Sequence, residues 1–320
     1  MNCIKVLTVT NMWPIDEYPY FGIFVKEQVE GLNKFYPEID NKIMFIQGYK
    51  NRINYLKSIF EINWHIFQNQ YDVIHIHYGL SGLFVLFNPF IKTPIITMIH
   101  GSDINSNRYI RLISKLVASR SNHIFYLNDK MKNHIRHLEN KIEYLPCGVN
   151  TDLFNVDRGN TNKNLTIAFP ASRIRPEKNF NFFEKVINSY EKKHNVAIDV
   201  VEIHGKSRQE VKYILNKVDI LMMTSLYEGS PQIIKEAMCC NTPIISSNVG
   251  DVELLLKDVN NCIVIDQFDE DCYCEAIYKI ANQSDDDRIS NGRSKIFSLG
   301  LDEKSTSKKI VDAYKRLINV

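Results

Sequence analysis

The fold of this chain is decided by residues 219–238, which read DILMMTSLYEGSPQIIKEAM. The apolar run from Ile220 to Met223 predicts a buried strand of a parallel sheet. A Glu-Gly-Ser-Pro turn follows, and the apolar spacing from Ile233 to Cys240 predicts a helix. We expect Ser230 to cap that helix and Pro231 to lie in its first turn, where a missing N–H costs nothing. The stretch therefore predicts a strand, a turn and a helix start, the unit that α/β proteins repeat.

The same stretch carries two carboxylates, Glu228 in the turn and Glu236 two turns into the helix. A helix N-terminus offers free N–H groups and a positive dipole end, which favour a phosphate or a sugar oxygen. Carboxylates beside it are suited to accept hydrogen bonds from hydroxyl groups. Such a site suits a sugar nucleotide. Acidic residues are also common in first helical turns without any function, so two Glu residues alone leave both interpretations open.

Short β-rich runs alternate with helical patterns along the whole chain, which predicts parallel sheets covered by helices on both faces. Strands are expected at 4–10, 42–47, 73–77, 95–99, 123–127 and 142–146, and then at 166–170, 196–203, 220–224, 243–246 and 262–265. Helices are expected at 23–35, 109–119, 180–194, 209–217, 271–282 and 304–319. Two series of strands predict two domains, separated by the polar stretch 155–164. We place the domains at 1–155 and 156–303, with a last helix over 304–320.

Composition and charge exclude several classes of protein. The chain has 320 residues, 44% of them hydrophobic and 24% charged, as in a globular protein. No apolar run approaches the roughly 20 residues that span a bilayer. The net charge is only +2, and no nucleic-acid motif is present, so no nucleic-acid partner is expected. The seven Cys lack metal-binding spacing, which favours free thiols in a reducing cytoplasm.

Further candidate residues lie in loops that follow predicted strands. Arg173 and Lys178 come after the strand at 166–170, where two cations suit a diphosphate and its developing charge. Gly22 permits close approach of a ligand to the main chain, although one glycine also suits an ordinary turn. His100 follows the strand at 95–99 in a glycine turn, and Asp103 either serves the acceptor side or caps the next helix.

His75 and His77 alternate along one strand and should point to the same side. A metal pair is imaginable, but no third ligand has suitable spacing, so we expect no metal. A structural or acceptor-side role remains for His77. In the first predicted domain, Arg108, Arg111 and Lys115 share one face of a predicted helix. This face is either solvated or bound to anionic lipid.

These motifs resemble those of the family 4 retaining glycosyltransferases. The stretch from Glu228 to Glu236 resembles the EX7E motif, with its Glu-Gly-x-Pro core, and Arg173 to Lys178 resembles the family's Gly-Arg-x-x-x-x-Lys loop. His100-Gly101-Ser102-Asp103 resembles the His-Gly-x-Asp signature. The single Gly22 departs from the commoner Gly-Gly form. The resemblance implies the α/β fold GT-B, in which two doubly wound, parallel-sheet (Rossmann-like) domains face each other across a cleft.

The resemblance also implies a reaction, namely transfer of a sugar from a UDP or GDP sugar to an acceptor hydroxyl, with retention and without a metal or cofactor. Glu228 would steady the transition state and His100 would position the sugar as the catalytic pair. Arg173, Lys178 and Gly22 would hold the diphosphate. Asp103 and His77 would lie on the acceptor side. The sugar and ribose would be bound by Gly229, Ser230, Pro231, Gln232 and Glu236.

By the same resemblance the second domain binds the nucleotide sugar, the first serves the acceptor, and the last helix crosses back to the first. The expected acceptor is a glycan or a lipid-linked glycan of a surface polysaccharide or glycolipid pathway. The expected location is the cytoplasm, with peripheral contact to an anionic membrane. Two alternatives remain open: a sugar-nucleotide epimerase of the same fold, and a non-catalytic sugar-nucleotide-binding subunit of a polysaccharide assembly complex.

Overall fold

The computed structural model describes residues 3–105, 107–157, 164–284 and 287–319 and divides the chain into two units. The first unit comprises Met1–Gly148 and Glu303–Val320, and the second comprises Val149–Asp302. Residues 149–155, which the sequence analysis assigned to the first domain, lie in the second unit. The reason is that the Val149 N–H donates to the Leu301 carbonyl (3.0 Å) and Phe154 is buried in the second core. Of the expected linker at 155–164, residues 158–163 lie outside the described residues.

The first unit is a six-stranded parallel sheet with helices on both faces. Its strands are β1 (Ile4–Thr10), β2 (Ile39–Phe45), β3 (Val73–His77), β4 (Ile95–Met98), β5 (His123–Tyr126) and β6 (Ile142–Tyr144). Its helices are α1 (Ile23–Phe35), α2 (Ile53–Gln68), α3 (Leu83–Leu86), α4 (Ser102–Asn105), α5 (Arg108–Arg120) and α6 (Asp129–His134). Short 3₁₀ turns lie at Gly79–Gly82 and Arg136–Lys141.

The second unit is a five-stranded parallel sheet. Its strands are β7 (Leu165–Phe169), β8 (Ile198–Glu202), β9 (Ile220–Met223), β10 (Ile244–Ser247) and β11 (Cys262–Ile265). Its helices are α7 (Phe180–His194), α8 (Arg208–Lys217), α9 (Gln232–Cys239), α10 (Val252–Leu256), α11 (Glu270–Ala281) and α12 (Gly292–Ser298), with a 3₁₀ turn at Pro176–Lys178. The last helix in chain order, α13 (Glu303–Ile318), belongs to the first unit and packs against α1.

The two sheets share one strand order. The first runs β2-β1-β3-β4-β5-β6, and the second, read from its β8 edge, runs β8-β7-β9-β10-β11. In each sheet the chain starts beside the centre, adds one strand on one side and then crosses to build the other side. Such doubly wound sheets bind ligands beyond the carboxyl ends of their strands, where the direction of winding changes. That point lies between β1 and β3 in the first unit and between β7 and β9 in the second.

The inner strands β3, β4, β9 and β10 are buried at every position, as expected for a parallel sheet covered on both faces. In β3, Val73 packs with the cluster that contains Tyr314 of α13, whereas Ile74 and Ile76 pack with the cluster on the other face, beneath α2 and α3. In the second unit, Ile167 and Ala168 of β7 likewise belong to opposite clusters. The cores hold the strand ends rigidly, so the loops that follow them are fixed at their bases.

Candidate functional site

The loops that follow β7 and β9 are tied together at the point where the second sheet changes winding direction. The Thr224 hydroxyl donates to the carbonyl oxygens of Lys178 (3.1 Å) and Asn179 (3.2 Å), and the Leu226 N–H donates to the Glu177 carbonyl (2.8 Å). These bonds hold the two loops side by side. Two residues predicted from different motifs, Lys178 and Glu228, are thereby brought into contact.

Lys178 and Glu228 form an ion pair between Nζ and Oε1. Their side chains are 14% and 15% exposed, so the pair is largely shielded but still reaches solvent. A shielded ion pair at the carboxyl edge of a sheet can exchange partners with an incoming ligand, the cation for phosphate and the carboxylate for hydroxyl groups. This exchange is the chemistry that the sequence analysis expects of both residues.

Arg173 lies in the loop after β7 but turns toward the end of β8. Its Nε is 2.9 Å from Oε2 of Glu202, and its guanidinium lies 4.6 Å from the ring centroid of Phe180. The Arg173 N–H also donates to Oε1 of Glu202 (3.2 Å). Glu202 was not predicted as a site residue. It fixes a half-exposed guanidinium that would otherwise sample many rotamers.

Glu236, on α9, is held by a residue that the sequence analysis did not identify. Its Oε1 accepts a hydrogen bond from Nη2 of Arg208 at 2.6 Å, and its side chain is only 2% exposed. The Arg208 guanidinium also lies 4.7 Å from the ring centroid of Phe154. A buried carboxylate needs such a partner because leaving its charge unpaired is costly. Arg208 therefore supplies that partner and fixes the orientation of the Glu236 carboxylate.

The position of Arg208 has a local cause that the sequence does carry. Ser207 and Glu210 form a capping box, in which the Ser207 hydroxyl accepts from the Glu210 N–H and the Glu210 carboxylate accepts from the Ser207 N–H. This Ser-x-x-Glu pattern starts α8 at Arg208, shortly after β8. The pattern could have located Arg208 at the same edge of the sheet as Lys178, although not its contact with Glu236.

The start of α9 differs from the prediction. The helix begins at Gln232 with Pro231 as its N-cap, and no side chain caps it. Ser230 therefore does not cap the helix; its hydroxyl instead accepts a hydrogen bond from Nζ of the buried Lys235 (3.3 Å).

The Gly229 turn is packed against the loop that follows β10. Gly250 has φ +64°, and a Cβ there would lie 2.6 Å from the Gly229 carbonyl oxygen. Any larger residue would push the two loops apart. The segment from Gly229 to Gln232 is thus placed by its neighbours before any ligand binds.

In the first unit, Gly22 is explained by the packing of the chain itself. It has φ +65°, and a Cβ would lie 2.3 Å from the carbonyl carbon of Met12. The glycine is therefore required where α1 passes the segment after β1, whatever its relation to a ligand. The expected contact between Gly22 and the diphosphate stays a prediction.

Asp103 and His100 belong to one turn after β4. The fully buried Asp103 carboxylate accepts from the His100 N–H (3.1 Å to Oδ1 and 3.2 Å to Oδ2) and from the Gly79 N–H (3.1 Å). Burial raises the pKa of Asp103 to about 6, against the lowering effect of these hydrogen bonds. Asp103 ties the ends of β3 and β4 together, which gives it a structural role beside the predicted acceptor-side one.

The side chain of His100 continues a row of imidazole rings. His77 Nδ1 lies 3.1 Å from His100 Nε2, and His75 stacks on His77 with ring centroids 4.4 Å apart. His75 Nδ1 in turn is 2.6 Å from the hydroxyl of Tyr314. His77, which was predicted on the acceptor side, is fully buried behind His100.

Both buried rings are neutral. Burial first, and the neighbouring His100 second, hold the pKa of His77 well below its usual value. Burial, and then His77 and His123, do the same to the pKa of His75. Among the described residues His77 Nε2 finds no hydrogen-bond partner. A buried N–H without an acceptor is rarer than an unused lone pair, which favours the tautomer in which His77 donates from Nδ1 to His100.

Within the residues that the structure describes, no group of three His, Cys, Asp or Glu side chains could hold a metal ion. The seven cysteines are free thiols, and four of them are buried. No helix in this part of the chain is long and apolar enough to cross a membrane.

The architecture defines a class of protein with two doubly wound parallel-sheet units, each carrying polar residues at the point where its winding reverses. A sequence model described as Glycosyltransferase Family 4 matches residues 30–153, and one described as Glycosyl transferases group 1 matches residues 173–283. The chain is a family 4 glycosyltransferase with the GT-B fold, as its motifs and fold predicted.

Known relatives and solved structures agree with this. The chain is 24% identical to an uncharacterised glycosyltransferase of Methanocaldococcus jannaschii, with 90% of this chain and 92% of the relative aligned. It is 22% identical to the UDP-Gal:alpha-D-GlcNAc-diphosphoundecaprenol alpha-1,3-galactosyltransferase of Escherichia coli, over 82% of this chain and 76% of that protein. Sucrose-phosphate synthase of Thermosynechococcus elongatus superposes with a TM-score of 0.79 at 14% identity, covering 98% of this chain and 99% of that one.

Proposed function

We propose that the protein transfers a sugar from a nucleoside-diphosphate sugar to an acceptor hydroxyl, with retention of the anomeric configuration. The observation that carries the proposal is the contact between Lys178 and Glu228 where the second sheet changes winding direction. One cation and one carboxylate, shielded together and joined to different loops, match a ligand that has a diphosphate next to a sugar.

In the proposed reaction, the bond between the anomeric carbon and the diphosphate oxygen breaks and the acceptor oxygen bonds to the same face of the sugar. The acceptor proton passes to the leaving phosphate oxygen. Lys178 turns from Glu228 to the diphosphate, and Glu228 is released to accept hydrogen bonds from sugar hydroxyls. Its charge then lies beside the cationic sugar of the transition state, where a fixed charge stabilises most effectively.

Glu236 would accept hydrogen bonds from the ribose hydroxyls of the same donor. Arg208 would hold the carboxylate in place for this contact through Oε1. Arg173 and Lys178 would neutralise the diphosphate, a task that we assign to them rather than to a divalent cation. His100 would position the sugar.

The donor class draws support from the E. coli relative, whose name specifies UDP-galactose, and a GDP sugar is the other donor considered. The same name specifies a diphosphoundecaprenol acceptor, which agrees with a glycan or lipid-linked acceptor in surface polysaccharide or glycolipid synthesis. A cytoplasmic location with peripheral membrane contact would bring the enzyme to such an acceptor.

The first experiment is a thermal shift of the purified chain with UDP, GDP, ADP, CMP and their common sugar conjugates, in the presence of EDTA. A ligand at a hundred times its dissociation constant adds about 2.7 kcal/mol of stability. We expect one diphosphate series to stabilise the protein and Lys178→Ala to abolish the effect. Lys185→Ala, an exposed lysine on α7, is the matched control.

The second experiment identifies the reaction. With the stabilising donor and a lipid-linked acceptor, NMR coupling constants of the product should show the anomeric configuration of the donor. Conversion of the donor to a stereoisomer without acceptor would indicate an epimerase instead. Binding of the donor without turnover for any acceptor would indicate a non-catalytic subunit, and inverted product would refute retention.

A further inference from the structure

The outer face of α2 is apolar, although it points away from the core. Its side chains are between 54% and 81% exposed, and we call them the aromatic stripe: Ile53, Leu56, Phe60, Trp64 and Phe67. Their spacing of three or four residues places them along one line of the helix. On the opposite side of α2, Ile59 and Ile62 are buried, and Ile62 packs with residues of β1 and β3.

A surface helix normally presents polar residues on the side away from its core. Single exposed apolar side chains need no explanation, but an aligned series of five, including a Trp and two Phe, marks an interaction surface. The side chains of the stripe do not contribute to the core, because α2 packs on the protein through its other face. The stripe is therefore available to a partner.

The exposed apolar surface continues beyond α2. Phe87 and Phe90, in the segment after α3, are exposed next to the stripe, since Asn88 Nδ2 donates to Oδ1 of Asn63 on α2 (2.9 Å). Helix α3 contacts both α2 and α5. On α5 the exposed apolar residues again follow one line: Tyr109, Leu112 and Leu116.

Charge on these segments is strongly one-sided. Residues 50–68, 83–92 and 107–120 contain eight Lys and Arg but a single acidic residue, Glu61. The whole chain, in contrast, has 39 Lys and Arg against 37 Asp and Glu. Cations beside exposed aromatic side chains are the composition of segments that lie in the interface of an anionic bilayer.

We propose that the aromatic stripe, together with the cations beside it, docks the protein on a membrane surface that contains anionic phospholipids. The side chains of Phe60, Trp64 and Phe67 enter the interface between head groups and acyl chains, and lysines such as Lys57 and Lys92 pair with lipid phosphates. A second copy of the chain is a poorer occupant, because a twofold contact would bring the same cations against each other. Docking needs no donor and does not depend on the proposed reaction.

Docking by this face would also serve an acceptor carried by a lipid. The first turns of α2 lie at the carboxyl edge of the first sheet, since the Tyr55 hydroxyl accepts from Asn11 Nδ2, just after β1, at 2.7 Å. Helix α5 begins shortly after the turn that contains His100 and Asp103. The membrane surface would thus lie beside the edge of the unit to which the acceptor-side residues are assigned.

The test is co-sedimentation of the full chain with vesicles of phosphatidylcholine, with and without phosphatidylglycerol. We expect binding only to the anionic vesicles, weakened by salt. The triple variant Phe60→Ser, Trp64→Ser, Phe67→Ser should lower the partition coefficient at least about tenfold. The variant Lys57→Gln, Lys92→Gln should lower it about fivefold for each cation removed. Tyr213→Ser, an exposed aromatic residue of α8, is the matched control.

A spectroscopic measurement locates the contact. The chain has two Trp residues, so in a Trp13→Phe background the fluorescence reports Trp64 alone. Its emission should shift to the blue with anionic vesicles. Equal binding of the triple variant, or no shift, would overturn the proposal.

A concentration-dependent dimer in ultracentrifugation that the triple variant loses would assign the stripe to a second copy. The thermal shift of the triple variant with the donor is measured separately. This measurement distinguishes a failure of docking from a failure of the proposed reaction.

Discussion

The two units assemble their candidate residues in opposite ways. In the second unit the side chains are charged and paired, Lys178 with Glu228 and Arg208 with Glu236. In the first unit the row of His75, His77 and His100 contains rings that are stacked and, where they are buried, neutral. The same strand order thus supports two kinds of polar cluster.

This difference indicates what each unit can do. Ion pairs that still reach solvent can exchange partners with a charged ligand, so the second unit suits a charged donor. Buried neutral imidazoles cannot take on charge without losing stability, so the first unit contributes orientation and hydrogen bonds. We test this difference by replacing charged residues in the second unit and a titratable histidine in the first unit.

The largest effect is expected for Glu228→Gln. The amide keeps the shape and can still accept from Lys178, but it removes the negative charge from the transition state. We expect kcat/KM to fall about 10³-fold, close to the loss of one preorganised stabilising group. Steady-state kinetics measure the effect, and circular dichroism checks the fold.

Glu184→Gln, the same exchange at an exposed position of α7, is the control for Glu228→Gln. Near-normal turnover of Glu228→Gln would refute the proposed role of this carboxylate. It would also leave the second unit's ion pairs as structural features only.

The second effect concerns stability as well as binding. Arg208→Ala leaves the buried Glu236 carboxylate without its cation, which should cost about 2 kcal/mol of unfolding free energy, measured by denaturant titration. The KM for the donor should also rise, because Glu236 loses its orientation. The double variant Arg208→Ala, Glu236→Gln removes the unpaired charge, so it should regain stability without regaining the wild-type KM.

A donor with 2′-deoxyribose tests whether Arg208 orients Glu236 for the ribose or only stabilises the fold. If Glu236 binds the ribose, the wild type should prefer the ribose donor and Arg208→Ala should lose much of that preference. An unchanged preference would mean that Arg208 only supports the fold.

The fold was predictable because its signals are local. Each buried strand is a short apolar run, and the bounds of β1, β3 and β11 match the prediction. The edge strand β11 was thus placed correctly, whereas two other edge strands were not: β2 starts at Ile39 rather than Lys42, and β8 spans Ile198–Glu202 rather than residues 196–203. These two strands contain charged and polar residues, so an apolar run does not mark their ends.

The site was predictable only as far as its motifs extend. Arg173 and Lys178 stand out by their spacing within one loop, and Glu228 stands out by its spacing from Glu236. The partners Arg208 and Glu202 are separated from them by many residues, and their contacts depend on side-chain directions after folding. The Ser230 cap was wrong, because Pro231 is the N-cap of α9 and the Ser230 hydroxyl accepts from the buried Lys235 instead.

A smaller effect compares two arginines of one loop. Arg173→Ala should weaken diphosphate binding about tenfold, or 1.4 kcal/mol, measured by titration calorimetry. Arg175, whose Nε donates to Glu177 at 2.6 Å, is the control, and Arg175→Ala should leave the affinity unchanged. Equal losses for both variants would show that the loop acts through its net charge rather than through one placed guanidinium.

The smallest effect tests the neutral row of the first unit. The folded pKa of His77 lies well below the unfolded value of about 6.5, so on acidification the unfolded chain binds a proton that the folded chain does not. The stability contributed by the neutral ring is present above pH 6.5 and is lost progressively below it. Between pH 7 and 6 this loss amounts to about 0.7 kcal/mol for each such histidine.

His77→Gln cannot titrate, so its unfolding free energy should fall less than that of the wild type between pH 7 and 6, while His75 keeps its own contribution. Asp103 acts in the opposite direction, because its raised pKa lets the folded state bind a proton first. Denaturant titrations at both pH values measure the slopes, and His137→Gln controls for the exchange itself. An unchanged slope in His77→Gln would mean that His77 binds protons equally in the folded and unfolded chains, and the contrast between a charged and a neutral cluster would be lost.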